Sequence, residues 1–330
     1  MARHATAGRG SARVRADGSA ADHPRRDPPA RRPGRWLGAI FGIAIVALLA
    51  WAASHVAWDQ VGEALRQLPA GVLATAAALC ALSHLVYSGY DLIGKHWTRH
   101  AVPARRVMLI TFISYAFNLN LGSLVGAIAM RLRLYAREGL AQPIPTQVLG
   151  LSLASNWLGY GALAGGLLMA GWLAPPPTWP VGAAALRGLG ALMWLVVVGY
   201  VAVCAFAQGR GFSVRGHDIV VPGPRIALMQ IAISASNWMV MGAIVWVLLR
   251  QGVPYPQVLA VLLAAAVAGA VTHVPAGLGV LEGVFIALLG PTLGHGQVLA
   301  GLIAYRALYY LGPLLIAATA YFVLEARSKR

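Results

Sequence analysis

The chain has 330 residues, 58% of them apolar and only 11% charged, which lies outside the range of soluble globular domains and leaves too few charges to cover a soluble surface of this size. A formal charge of +16 would suit nucleic acid. Beyond the first 35 residues, however, Lys and Arg fall in small groups between long apolar runs, without interleaved aromatics, so nucleic-acid binding is excluded and the groups are topology signals.

Residues 1–35 carry nine Arg against three Asp, with Val14 as the one bulky aliphatic, so the segment buries too little surface to offset its ordering entropy. It is expected to be a disordered basic cytoplasmic tail lying against the anionic leaflet. A charged stretch before the apolar run 36–53 also looks like a secretion signal. The charged region is too long for one and further membrane segments follow, so the run reads as an anchor.

About 20 apolar residues span a bilayer. Six stretches qualify: 36–56, 70–91, 145–172, 183–207, 226–249 and 297–324. Two others are interrupted. Residues 107–130 contain Asn118, Asn120, Gly122 and Gly126, and residues 257–290 contain His273, Pro275, Gly277 and Gly279. Pro275 removes a backbone donor and clashes with the preceding turn, so a helix from 257 should stop near 273 and a short one should begin near 279.

Lys95, Arg99, Arg105 and Arg106 precede the first interrupted segment and Arg131, Arg133 and Arg137 follow it, which puts both its ends on the cytoplasmic side. The connections 57–69 and 173–182 carry only Arg66, whereas 208–225 holds Arg210, Arg215 and Arg225, and the chain ends in Arg327, Lys329 and Arg330. The expected fold is an all-α polytopic membrane protein with six full spans and two oppositely inserted re-entrant hairpins. Both termini are cytoplasmic, and residues 140 and 253 lie on opposite sides. A tail at 1–35 precedes one transmembrane domain at 36–326 and a basic end at 327–330. The halves, about 36–172 and 183–324, each run span, span, hairpin, span, an inverted repeat that rests on topology alone. Secondary transporters built this way place their site where broken helices meet.

The run His273 to Gly283 carries the most chemistry. Gly277 and Gly279 permit tight turns, and the helix that follows directs free N–H groups and a positive dipole end at the break, a place suited to phosphate or carboxylate. A Gly-Pro turn between two core helices is the plainer alternative. Glu282 and Arg306 are isolated charges inside membrane segments, where ionisable groups are costly and usually paired, so the two are expected to be neighbours. The pair is either architectural or in contact with a headgroup or coupling ion. In the first hairpin Asn118, Asn120 and Ser123 either satisfy broken-helix backbone or bind. Arg131 and Arg133 either snorkel or form a vestibule for anionic headgroups. Gly38 with Gly42 and Gly161 with Gly165 suit close helix packing. Tyr305, Tyr309 and Tyr310 read as packing or interface aromatics, and Asp91 as a lone acid at a span end.

Intramembrane enzymes acting on lipid diphosphates need acidic clusters for Mg²⁺. The sequence contains none, nor HExxH, GxSxG, a Walker loop or CxxC. Cys80 and Cys204 lie inside apolar runs and make no disulfide or metal framework. No catalytic residue, metal ligand or cofactor is therefore expected.

The runs Asn118 to Gly126 and Arg131 to Leu140, then His273 to Glu282, then Tyr305-Arg306 with Tyr310 and Pro313, resemble the transmembrane region of lysylphosphatidylglycerol synthases and its stand-alone inner-membrane relatives, over about residues 36–326. The resemblance implies a flippase-like region that moves an anionic phospholipid between leaflets of the inner membrane, separate from the soluble domain that performs aminoacyl transfer. It points to Asn118, Asn120, Gly122, Arg131, Arg133, His273, Gly277, Gly279, Glu282 and Arg306 as substrate-binding residues. Ala276 stands where Gly is common and Leu121 where Pro often precedes the hairpin Gly, departures that bear on which lipid is moved. The expected partners are membrane phospholipids and a lipid-synthesis enzyme. The rival functions are a non-transporting scaffold for such an enzyme and an intramembrane lipid transferase.

Overall fold

The computed structural model describes residues 43–50, 54, 56–175, 181–214, 217–272 and 277–327. A first helix, α1, occupies residues 43–50 in a unit, Met1–Trp51, separate from Ala52–Arg330. The expected 36–56 span and the 1–35 tail thus fall mostly outside the described residues.

In the second unit α2 (Trp58–Arg66) is a short amphipathic helix, followed by α3 (Ala70–Thr98) and α4 (Ala104–Leu121). A π-helical segment, π1 (Ser123–Met130), leads into α5 (Arg131–Arg137), α6 (Ile144–Met169) and α7 (Ala183–Phe206). After α8 (Pro224–Leu248) come α9 (Tyr255–Thr272) and α10 (Val280–Leu293). The last helix runs from His295 to Arg327 as α11 (His295–Tyr305), π2 (Arg306–Leu311) and α12 (Gly312–Arg327).

Among the described residues, five helices are long and apolar enough to cross a membrane: α3, α7, α8, α9 and the continuous His295–Arg327. Four lie where the sequence placed spans. The fifth, α9, belongs to a segment read from sequence as half of a hairpin. Its 18 residues rise about 27 Å, near the hydrocarbon thickness. At the expected 145–172 span, α6 is 26 residues long but carries Gln147, Ser152, Ser155 and Asn156 and is not among the five. The expected all-helical architecture holds, with one short strand pair in a connection. Gly211–Val214 (β1) pairs antiparallel with His217–Val220 (β2), because the connection from α7 to α8 is long enough to fold back on itself.

Helices α3, α6 and α8 pack on one another at the centre. Around them α4 lies between α3 and α12, α7 covers α6, and α9 packs on α8 and α10. Glycine sets the spacing at two of these contacts. A Cβ on Gly159 would strike Ser234 and the Ala235 backbone of α8, and one on Gly165 would sit 2.9 Å from the Gly190 carbonyl of α7. The expected packing role of Gly161 and Gly165 therefore holds, with Gly165 making the closer approach. Gly38 and Gly42 lie outside the described residues. The outer face of α7 presents Leu192, Leu195, Val196 and Phe206 to the surroundings, a surface that suits lipid.

Both interrupted segments break where the sequence indicated. Helix α4 ends at Gly122, whose φ of +83° suits glycine, and π1 then folds back against α4. A Cβ on Gly126 would overlap the backbone of Phe117 and Asn118, so the fold-back requires glycine there. Helix α9 ends at Thr272 and α10 begins at Val280, with Gly277 and Gly279 both at positive φ.

Candidate functional site

The two breaks meet at one cavity of about 570 Å³. Asn118, Ser123 and Ala127 line it from the first break, Gly269, Gly277 and Leu281 from the second, and Asn156, Asn237, Tyr115 and Tyr310 complete the polar wall. A larger cavity of about 780 Å³ between α6, α7 and α9 is walled almost wholly by apolar groups, and Trp157 lines both. The smaller cavity is the better site, because its polar groups converge and irregular backbone reaches it.

Behind its wall lies the expected ion pair. Arg306 faces Glu282 with two nitrogens, Nε to Oε1 at 2.5 Å and Nη2 to Oε2 at 3.0 Å, and Nη2 also donates to the Gly277 carbonyl at 3.0 Å. Both side chains are mostly buried, 14% and 16% exposed. Glu282 sits in the first turn of α10, where its Oε2 accepts the Gly279 N–H at 3.0 Å. The anion site anticipated at this helix start is thus filled by the chain's own carboxylate, which suits both the free N–H and the dipole. Neither charge lines the cavity. Through the Gly277 carbonyl, Arg306 instead holds a residue that does.

The other sequence-selected residues separate. Asn118 lines the cavity, whereas Asn120 donates to the Ala116 carbonyl at 2.8 Å and to the Tyr310 carbonyl at 3.2 Å, satisfying backbone oxygens near the α4 end and in π2. Gly122 makes the turn. His273 lies outside the described residues. Arg133 is 3.5 Å from Glu325, which also accepts from Arg137 at 2.6 Å, an arrangement joining α5 to the end of α12.

Arg131 neither snorkels nor opens onto a vestibule. It is fully buried beside Asp91, which is also fully buried. Asp91 is therefore not a lone acid at a span end, because α6 packs on both α3 and α5 and Arg131 of α5 comes within 3.5 Å of it. Of the three tyrosines near Arg306, Tyr305 and Tyr309 are packing aromatics, wholly buried and stacked at 5.2 Å. Tyr309 shares a buried network in which its hydroxyl lies 2.7 Å from Ser83 and 2.8 Å from Tyr115, while Ser83 donates to Asn237 at 2.7 Å. Sequence reasoning missed this network. Its one available sign was the density of Ser, Tyr and Asn within apolar helices. Among the described residues no group of three or more His, Cys, Asp and Glu could hold a metal ion.

A polytopic helical chain with lipid-facing apolar helices and two interrupted segments meeting at an internal polar cavity is an integral membrane protein. Within that class the chain belongs to the family described as the lysylphosphatidylglycerol synthase TM region, whose model matches residues 38–317, as the hairpin motifs indicated. It is 44% identical over 292 residues, 88% of this chain and 92% of the relative, to Inner membrane protein YbhN of Escherichia coli (strain K12). It is 27% identical over 282 residues, 84% of this chain and 87% of the relative, to an uncharacterized protein of Synechocystis.

Proposed function

We propose that this protein is a flippase-like lipid translocase of the inner membrane that moves an anionic phospholipid between leaflets and carries out no chemical transformation itself. The cavity shared by the two breaks carries this reading. Its volume of about 570 Å³ falls within the ~300–1,000 Å³ usual for ligand sites, and Asn118, Ser123, Asn156 and Asn237 can bind a phosphate-bearing headgroup. Trp157 walls both this cavity and the apolar one between α6, α7 and α9, and that proximity supports a headgroup in the first with its chains toward the second.

Purified protein in vesicles containing fluorescent phosphatidylglycerol should make lipid of the inner leaflet accessible to an external quencher, without added nucleotide. Chemical conversion of the lipid would instead favour the transferase, and neither movement nor conversion would favour a scaffold for a lipid-synthesis enzyme.

The corresponding topology has six crossings, both termini cytoplasmic, and α4–π1 and α9–α10 as hairpins entering from opposite sides. The distribution of basic residues supports it. Cysteine accessibility provides the test. Val253 is buried at 7% exposure, so the exposed neighbour Gln251 is the better probe, paired with exposed Ala141. In a cysteine-free background, Ala141→Cys and Gln251→Cys should label from opposite faces of the membrane, and labelling from one face would overturn the arrangement.

A further inference from the structure

A second buried charge cluster lies where α3, α5 and α6 meet. Asp91 and Arg131 are 0% exposed, yet they do not engage fully. Asp91 uses one oxygen for both neighbours: Oδ2 accepts the Tyr135 hydroxyl at 2.8 Å and lies 3.5 Å from Arg131 Nε, while Oδ1 has no hydrogen-bond partner among the described residues. Arg131 donates from Nη1 to Ser152 at 3.1 Å, and its Nη2 likewise has no hydrogen-bond partner. A pair serving only to fasten helices gains most from the two-pronged guanidinium–carboxylate geometry, the geometry that Arg306 and Glu282 adopt and this pair does not. Here one acceptor, Asp91 Oδ1, and two donors, Arg131 Nε and Nη2, make no hydrogen bond where an unmet polar group is costly.

The surroundings are otherwise neutral or turned elsewhere. From α3, Tyr87 faces the cluster and interacts with Arg131, while Lys95 donates to the His100 carbonyl at 2.8 Å. Burial, with the Lys95 ammonium nearby, holds His100 below the ordinary imidazole value, so it is neutral at pH 7. Tyr135 from α5, Thr111 from α4 and Ser152 from α6 are uncharged polar groups. The cluster lies near the central cavity without lining it. Ala127 and Ile128, about one turn before Arg131, line that cavity, as do Tyr87 and the neighbour of Ser152, Leu153.

We propose that Asp91 and Arg131 form a proton-coupled anion site, in which a phosphate headgroup docks on Arg131 Nη2 as Asp91 Oδ1 takes a proton. The charges balance. At rest the carboxylate cancels the guanidinium. When loaded, the phosphate monoanion cancels it and the carboxyl is neutral. The only covalent change is an O–H bond made with a proton from water on the entry side and broken on the exit side. The lipid therefore crosses with one proton and no net charge. This deepens the translocase reading and rests on it.

Adding short-chain phosphatidylglycerol to the full-length protein in weakly buffered detergent should take up about one proton per lipid bound, as linkage requires. Asp91→Asn alone would strand Arg131 and could unfold the protein, so the double variant Asp91→Asn/Arg131→Gln is the control and should take up none. Tyr135→Phe removes the hydroxyl that donates to Asp91 Oδ2 and should change the number of protons taken up per lipid at a fixed pH, which a merely structural pair would not do. In vesicles a one-unit pH gradient should drive about tenfold lipid asymmetry, and a membrane potential should drive none. Proton uptake without lipid movement would support the site and defeat the translocase reading. Lipid movement without uptake or pH-driven asymmetry, or uptake with inorganic phosphate and not with the lipid, would overturn the proposal.

Discussion

Glu282→Gln and Arg306→Gln, made singly, are each expected to lower stability by about 3–5 kcal/mol, because each strands the partner's charge in a mostly buried place. The double variant should recover most of that loss, since no charge then remains to be desolvated. It should nonetheless fail to move lipid. Arg306 also holds the Gly277 carbonyl, and Gly277 lines the cavity. Removing the guanidinium frees that break even when the charge balance is restored. Thermal unfolding in detergent and lipid movement in vesicles, measured on the same three variants, separate the two roles. Full transport by the double variant would reduce the pair to architecture.

Gly126→Ala is expected to be the most damaging single methyl in the chain. Its Cβ would overlap the backbone of Phe117 and Asn118, which cannot rotate away as a side chain can, so π1 must part from α4. Overpacking of this kind costs about 3 kcal/mol or more. The same substitution at Gly139 is the control. That residue has φ of +83° but nothing within 4 Å of its Cβ, so the strain should cost only about 1–2 kcal/mol. Equal losses at the two positions, read from thermal midpoints in detergent, would show that the close approach of π1 to α4 is not what requires glycine.

Local chemistry made much of this protein legible in its sequence. Apolar runs of sufficient length marked the helices at 70–98, 183–206, 224–248 and 295–327, because burial in lipid depends on composition over a window and not on partners. The stops at Thr272 and Gly122 were visible for an equally local reason, since proline lacks an N–H and glycine alone takes positive φ without strain. Glu282 and Arg306 could be paired in advance because each was the one charge of its sign in a long apolar stretch.

The environments of Asp91 and Arg131 could not be read in this way. Asp91 stood near Lys95 and Arg99 in sequence, and Arg131 near Arg133 and Arg137, so each looked like part of a charged boundary. What buries them is the packing of α6 against both α3 and α5, a relation between elements distant along the chain. Tyr309 was ambiguous for the same reason, because a tyrosine in an apolar helix can face lipid headgroups or the core, and Ser83 and Tyr115 decide between them. The sequence by itself determined which segments enter the membrane and where their helices fail, both governed by the backbone and by average hydropathy. Only the tertiary structure decided which polar groups face one another across the breaks, because that follows from the rotation of each helix about its axis, which packing fixes and composition does not.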